Sequence, residues 1–552
     1  MFRRIPLLTI AVLVGPVAFG LAGTILPALG VVGTFEGRPW DTALAWPGLS
    51  RALIVSVLSG VLSTLGALGI ASLILAGWHG TAAFRWLERV LSPLLAVPHS
   101  AAALGLAFLV APSGWIMRLP AAAIGWTVPP DVLVPGDPWG LSLAAGLVAK
   151  ELPFLLLMML VALPQAAAGP RLRVARSLGH GRMAGWLKAV FPSVYRQVRL
   201  PVLVVLVYGM TNVDVAIILG PSTPSTLAVQ VTRWMTAPDL GLRAVAAAGG
   251  TILLGATLAV LALWLLGERI VAAAGRRWVW SGRGVPELAM RGGGLLLAGG
   301  SAVMVLGGIV ALAVWSVAAR WAWPALVPDA LTTSSWARFG PEMLRTAGDT
   351  MLIALAATAA SLVLVIGCLE AEHRHGLTVS QRVLWLLYLP LLVPQVAFLP
   401  GLQLLPLALD AGPSVWLVLA GHVVFVLPYV YLSLAGPFRA WDSRFARVAA
   451  GLGASLDRTL WRLRLPMLAA PLLTAGAVGI AVSVGQYLPT LLLGGGRVST
   501  LATEAVALAS GGDRRAIGVW GLGQAAAALL PFAVALALPA GLWRRRRGMR
   551  GA

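Results

Sequence analysis

Residues 173–179 read Arg173-Val-Ala-Arg-Ser-Leu-Gly179, and residues 447–453 read Arg447-Val-Ala-Ala-Gly-Leu-Gly453. The offset between them is 274 residues, close to half of the 552-residue chain. Thirteen residues past each glycine stands a proline, Pro192 and Pro466. Downstream the offset persists, because Ser225-Thr-Leu-Ala228 pairs with Ser499-Thr-Leu-Ala502. Upstream, at an offset of 275, Gly146…Leu152-Pro153 falls on Gly421…Leu427-Pro428. One unit has been built twice.

Outward from each motif the chain turns apolar. Hydrophobic residues make up 59% and charged residues only 11%, against roughly 25% charged in soluble domains. A soluble protein has nowhere to bury so much apolar surface, so the chain is a polytopic membrane protein. With about 20 apolar residues needed per crossing, twelve spans are expected. They lie at about 5–32, 52–76, 90–112, 140–165, 201–220, 244–267, 295–319, 346–369, 384–407, 414–437, 467–493 and 518–542. The fold class is therefore all-α, as two parallel six-span repeats related by an axis along the membrane normal. The units are residues 1–285 and 286–552, with an Arg- and Gly-rich linker around 268–294.

An even count puts both termini on one side, and charge says which. About 29 of the 41 Lys and Arg residues fall in the segments that this topology makes cytoplasmic, as the positive-inside rule requires. The Arg544–Arg547 tail is cytoplasmic on this reading. Met1-Phe-Arg3-Arg4 starts an uncleaved first span rather than a signal peptide, since the apolar run is long and lacks a small-residue cleavage site. The net charge of +21 does not mark a nucleic-acid binder, because the basic residues sit between hydrophobic runs rather than on a soluble face. A single cysteine, Cys368, excludes a disulfide framework.

Each repeated motif occupies a cytoplasmic segment of about 30 residues between the fourth and fifth spans of its unit. Gly179 and Gly453 suit the left-handed turn that ends a short helix. A second short helix follows, with Leu187, Val190 and Phe191 on one side in the first copy, and Leu460 and Leu463 in the second. The proline is expected where the chain bends back to the membrane. The product is a helix–turn–helix with a cationic surface and an apolar ridge, suited to docking on a partner. Amphipathic loops lying on anionic lipid are the alternative, but lipid does not require the same glycine-to-proline spacing twice.

This pattern resembles the "EAA" loop of permease subunits in binding-protein-dependent ABC importers: Glu-Ala-Ala, three residues, Gly, nine residues, then Ile-x-Leu-Pro. Arg173, Val174, Ala175, Gly179, Ala189, Phe191 and Pro192 fall on it in the first copy. In the second, Arg447, Val448, Ala449, Gly453, Leu463, Leu465 and Pro466 do so. The third-position alanine, the glycine and the proline match in both; the glutamate is arginine in both, which leaves that contact open. The resemblance covers the whole chain and is closest to fused permeases of the iron(III), thiamine and polyamine branch, within it to a thiamine-like fused permease. It implies a type I importer fold in a bacterial inner membrane. It also implies a cytoplasmic ABC ATPase dimer gripping the loops through Ala175, Gly179, Pro192, Ala449, Gly453 and Pro466. A periplasmic or lipid-anchored solute-binding protein is the other partner, with no cofactor and no nucleic acid. Nucleotide-driven closure of the ATPase then rocks one half against the other.

ATP hydrolysis itself needs a Gly-Lys-Ser/Thr phosphate loop. The only lysines, Lys150 and Lys188, follow Ala149 and Leu187, so the ATPase is another chain. No catalytic triad, nucleophile elbow or HExxH helix occurs, and no enzyme site is expected. Polar groups inside spans face protein rather than lipid. In the family, the region of Asn212, Asp214, Gln486 and Tyr487 lines the translocation path, with Lys150, Glu151 and His422 secondary; buried interhelical bonds are the alternative for each. Cys368, Glu370, Glu372, His373 and His375 are metal-ligand types at close spacing, but they occur once and fit a solvated loop, so no metal is assigned. Basic outer loops, with Arg233, Arg243, Arg497, Arg514 and Arg515, offer a surface to acidic rims of a binding protein. An ion-coupled secondary carrier of twelve spans is the rival reading, and a non-transporting scaffold a third; neither has a use for two such loops.

Overall fold

The computed structural model describes residues 2–29, 39–377, 381–403 and 412–542. The Arg544–Arg547 tail lies outside them. Among the described residues the chain is helical apart from one antiparallel ribbon, Ala318–Arg320 with Ala330–Leu331. Ten helices are long and apolar enough to cross a membrane, or up to twelve if each of two bent pairs is one span. Helices are what lipid allows, since every backbone N–H and C=O must be satisfied within the segment.

In chain order, spans 1 to 6 are Ile5–Ala28, Leu49–Trp78, His99–Ala121, Leu141–Gln165, Arg182–Thr211 and Leu242–Trp280. Spans 7 and 8 are Glu287–Val317 and Ser334–His375. Span 9 is the pair Val383–Leu392 and Gln395–Leu402, bent by 85°, and span 10 is Val415–Ala440. Span 11 is the pair Leu456–Met467 and Ala469–Val484, bent by 76°, and span 12 is Arg514–Pro539.

Prolines move two of the expected edges. The run expected at 90–112 straddles a break: one helix covers Ala82–Leu94, and another starts at His99 after Pro98. Span 9 breaks in the same way before Gln395, after Pro394. A residue preceding proline is pushed out of the helical region, so both helices must restart. The fifth run, expected at 201–220, is also divided, with Phe191–Thr211 followed by a separate turn of helix, Asp214–Leu219.

The repeated sequence makes repeated contacts. In both copies of Ser-Thr-Leu-Ala the leucine opens a short helix, Leu227–Thr236 or Leu501–Ala509. The Leu227 N–H donates to Ser56 Oγ of span 2 at 3.1 Å, and the Leu501 N–H donates to Thr350 Oγ1 of span 8 at 3.0 Å. Gly146 and Gly421 each leave room for a leucine methyl, of Leu219 and Leu493.

Spans 1 and 7 cross to the other repeat. Span 1 packs on the second helix of span 9, and span 7 packs on span 3. Both crossings are glycine contacts. A Cβ on Gly308 would lie 2.7 Å from the Gly105 carbonyl carbon, and one on Gly23 would lie 2.7 Å from the Gly401 carbonyl oxygen. Small residues give helices in lipid the close approach that replaces hydrophobic driving force.

Candidate functional site: two repeated loops and a polar centre

The first loop begins with the helix Ala168–Ser177 and the second with Arg444–Gly451. Gly179 and Gly453 close them with φ of 80° and 76°. In each, the residue after the glycine donates its N–H five residues back: His180 to the Ala175 carbonyl at 3.1 Å, and Ala454 to the Ala449 carbonyl at 2.9 Å. This is the Schellman closure that a left-handed glycine permits. Ala175 is buried beneath the turn. The turn expected from the motif is present twice.

A second short helix follows each turn, Arg182–Gly185 and Leu456–Thr459. Both then widen into one π turn, Trp186–Val190 and Leu460–Arg464. The reason is the proline two residues past each π turn. Its ring crowds the carbonyl four residues earlier and it has no N–H to donate, so the backbone shifts to wider hydrogen bonds. Phe191 N–H accordingly reaches Trp186 O, and Leu465 N–H reaches Leu460 O. The expected bend at the prolines is not where the chain turns. Through Pro192 the helix runs on unbroken into span 5, whereas the second loop turns at Leu468, two residues past Pro466.

Burial also sorts the apolar residues differently from expectation. Val190 faces inward with Trp186, and Leu187 and Phe191 pack partly against the same core, while Leu460 is buried in a second one. The exposed ridge lies instead on the first helix of each loop. Val174 and Leu178 are 60% and 72% exposed, and their counterparts Val448 and Leu452 are 63% and 83% exposed. Exposed Arg173 and Arg447 flank them. In the second loop the ridge borders an open groove of about 360 Å³ that includes Phe445, Ala449 and Leu463. Nearby, the Arg444 backbone N–H and then its side chain hold the Asp442 carboxyl below the usual carboxylate range.

The expected solvated loop at the end of span 8 is instead an anchor for the second loop. Glu370 pairs with Arg374 at 2.7 Å and with Arg464 at 3.1 Å, and Arg374 reaches Asp457 at 2.8 Å. Glu370 and Arg464 are 3% and 4% exposed. The Arg464 guanidinium also sits 3.9 Å from the centre of the Phe438 ring. Glu372 holds Arg439 at 2.9 Å and accepts from the Tyr431 hydroxyl, while Cys368 donates to Thr9. The acids are occupied by cations of the chain itself. Among the described residues no group of three or more His, Cys, Asp or Glu side chains could hold a metal ion.

Of the polar residues in the spans, several have structural partners. Lys150 donates to the Leu94 and Val97 carbonyls, at 2.8 and 2.6 Å, which the break before Pro98 frees. Asn212 donates to the Tyr208 and Gly209 carbonyls and accepts from Ala216 N–H, bridging the gap in span 5. His422 is fully enclosed, its two ring nitrogens at 2.7 Å from Ser483 Oγ and 2.9 Å from Thr490 Oγ1. The others converge. Glu151 meets His99 at 3.0 Å, and the His99 ring lies 4.8 Å from that of Tyr208. Asp214 is within electrostatic range of His99, Tyr208 and Tyr487, and Glu151 of Tyr208 and Tyr429. Gln486 and Tyr487 are half-buried. Glu151 comes from span 4 and Asp214 from the separate turn that follows span 5, while Tyr429 comes from span 10 and Tyr487 lies just past span 11. His99 escaped sequence reading; the signal was a histidine immediately after a helix-breaking proline.

Of the basic residues expected on the outer loops, Arg514 is half-buried. Its guanidinium lies 5.1 Å from the Trp315 ring centre and 5.8 Å from that of Phe108, and it donates to Ser113 Oγ. Arg515, Arg233, Arg243 and Arg497 are exposed.

Residues 363–542 match the family described as binding-protein-dependent transport system inner membrane component. Over 546 residues, 98% of this chain and 97% of the other, the chain is 30% identical to the inner membrane ABC transporter permease protein YnjC of Escherichia coli (strain K12). It is 30% identical over 126 residues to the spermidine/putrescine transport system permease protein PotC of Haemophilus influenzae, 22% of this chain and 49% of that one. To the molybdenum transport system permease protein ModB of Mycobacterium tuberculosis it is 29% identical over 187 residues, 30% of this chain and 70% of that one.

Proposed function

This chain belongs to the family of inner membrane components of binding-protein-dependent transport systems, and from that premise we infer that its two loops seat a separate ATPase. The chain is the permease subunit of an ABC importer. Its relatives are transport permeases rather than enzymes, so hydrolysis falls to a cytoplasmic ATPase dimer that engages one loop per subunit. Ala175, Gly179 and Pro192, with Ala449, Gly453 and Pro466, shape those loops. A periplasmic or lipid-anchored binding protein delivers the solute at the outer face, where Arg515 is exposed and Arg514 half-buried. Both termini lie in the cytoplasm, and the two units are residues 1–285 and 286–552. Closure of the ATPase moves the loops, and alternating access at the polar centre releases the solute inward. Glu151, Asp214, Gln486 and Tyr487 line the path there. Lys150, Asn212 and His422, all committed to hydrogen bonds within the bundle, hold its shape.

One observation carries this reading: the same exposed pair, valine and leucine four residues apart, stands before the same left-handed glycine in both loops. A two-fold symmetric partner needs two equal handles. The test is copurification of the ATPase with the wild-type chain and with a Gly179→Val, Gly453→Val double variant. Valine is strongly disfavoured in the left-handed conformation, so the variant should retain the spans and lose the ATPase. Full retention of the ATPase would overturn the docking role of the loops.

A further inference from the structure

The first loop makes a contact that has no equivalent in the second. Glu287 is the first residue of span 7, and one of its carboxylate oxygens accepts from Met183 N–H at 2.9 Å and from Ala184 N–H at 3.2 Å. These are donors at the start of the loop's second helix, a place where a carboxylate is favoured by unsatisfied N–H groups and by the helix dipole. The fit is close. A Cβ on Gly181 would collide with the Glu287 carboxylate, although the backbone there, at φ −63°, suits any residue. The space left by Gly181 is the space Glu287 occupies.

Two further contacts close the same junction. Arg182 donates to the Ala76 carbonyl at 3.0 Å and also to that of His79, both at the end of span 2. Burial first, and then the Arg182 guanidinium, hold His79 below the usual imidazole value. Trp78 Nε1 donates to the Arg291 carbonyl at 2.9 Å, and the Arg291 guanidinium lies 4.9 Å above the Trp78 ring. Loop, span 2 and span 7 thus meet at one point.

The second loop is held otherwise. Its second helix is capped by Ser455 of the loop itself, which accepts from Arg458 N–H at 3.2 Å. Its ion pairs run to span 8, and Arg464 also donates to the Phe438 carbonyl of span 10, both of the same repeat. Span 7 packs on spans 2 and 3 of the first repeat and on span 12 of the second, so a displacement of the first loop reaches, through Glu287, a helix seated against both repeats.

We propose that Glu287 is a positioning residue that ties the first loop to span 7, so that ATPase-driven motion of this loop moves both repeats. The proposal rests on the ATPase-docking reading of the loops. It is tested on the chain copurified with its ATPase in lipid nanodiscs, with Cys368→Ser and nitroxides at Arg233→Cys and Arg515→Cys. These exposed positions, in the short helix Leu227–Thr236 and at the start of span 12, belong to opposite repeats. The distance between the labels is followed while the non-hydrolysable ATP analogue AMP-PNP is titrated, so no transported solute is needed. Glu287→Ala should raise the AMP-PNP concentration at the midpoint by about 2- to 30-fold, the range of coupling effects from single contacts. Gly181→Ala should do the same by displacing the carboxylate. The double variant should be no worse than either single one, because both remove one contact. Glu287→Gln keeps the accepting oxygen and should stay within about 2-fold of wild type. Unchanged midpoints in Glu287→Ala and Gly181→Ala overturn the proposal. So does a loss of bound ATPase with no midpoint change, which marks a local cap. A wild-type chain that binds no ATPase overturns the docking reading itself.

Discussion

The two repeated loops share a glycine turn and a π turn and are fastened in different ways. Glycine turn, π turn and proline recur at a fixed offset, yet the second loop is held by a buried ion-pair network and the first by Glu287, Arg182 and neutral carbonyls. Lys188 of the first loop buries its ammonium over the Trp278 ring, 4.8 Å from the centre, without a carboxylate. The difference separates two demands. If the loops seat the ATPase, what faces it has to be equal in both copies, while what faces the spans only has to hold. The comparison predicts where substitutions have unequal effects.

The largest effect belongs to the second loop alone. Glu370 is 3% exposed and lies between Arg374 and Arg464. Removing one partner of a buried pair leaves an uncompensated charge, which costs about 3–5 kcal/mol. Glu370→Ala should lower the unfolding free energy of the detergent-solubilised chain by that amount. Lys188→Met in the first loop removes a cation that has no carboxylate partner and should cost at most about 1 kcal/mol. Equal losses in the two variants would erase the distinction between the anchors.

How much of this was legible in the sequence follows from the range of each interaction. Hydropathy and a left-handed glycine are local properties, so the spans and both Schellman turns could be read from runs of residues. The anchors could not. Glu370 finds Arg464 across 94 residues, and Glu287 finds Met183 across 104. No periodicity links such partners; only the packing of spans 7 and 8 does. Glu370 therefore read as one acid of a metal-like cluster, although its neighbours satisfy it. Pro192 and Pro466 misled for a subtler reason. Proline dictates a disturbance of the helix, but the chain absorbs it in a π turn, and only at Leu468 does a bend follow.

An intermediate effect tests the two crossings instead of the two loops. Gly308 touches Gly105, and Gly401 touches Gly20 and Gly23, in each case with no room for a Cβ. An added methyl there forces helices apart, at about 1–3 kcal/mol for overpacking. Gly308→Ala and Gly401→Ala should each lower thermal stability to a similar degree. A loss at one crossing only would show that spans 1 and 7 are not equivalent.

The smallest effect on stability should carry the clearest functional signature. Leu178 and Leu452 are 72% and 83% exposed, so Leu178→Ser and Leu452→Ser remove apolar surface that the isolated chain does not bury. Exposed positions away from caps and cores change stability by about 0.5 kcal/mol or less. If these leucines meet the ATPase, burying each at the interface contributes about 1.5–3 kcal/mol, and either substitution should reduce ATPase copurification with unfolding unchanged. The two variants should be equally affected, because the handles are the part of the loops that is the same. A deficit at Leu452 alone would mean that the groove beside it, lined by Phe445 and Leu463, makes the second handle the tighter one. The asymmetry of the anchors would then extend to the docking face.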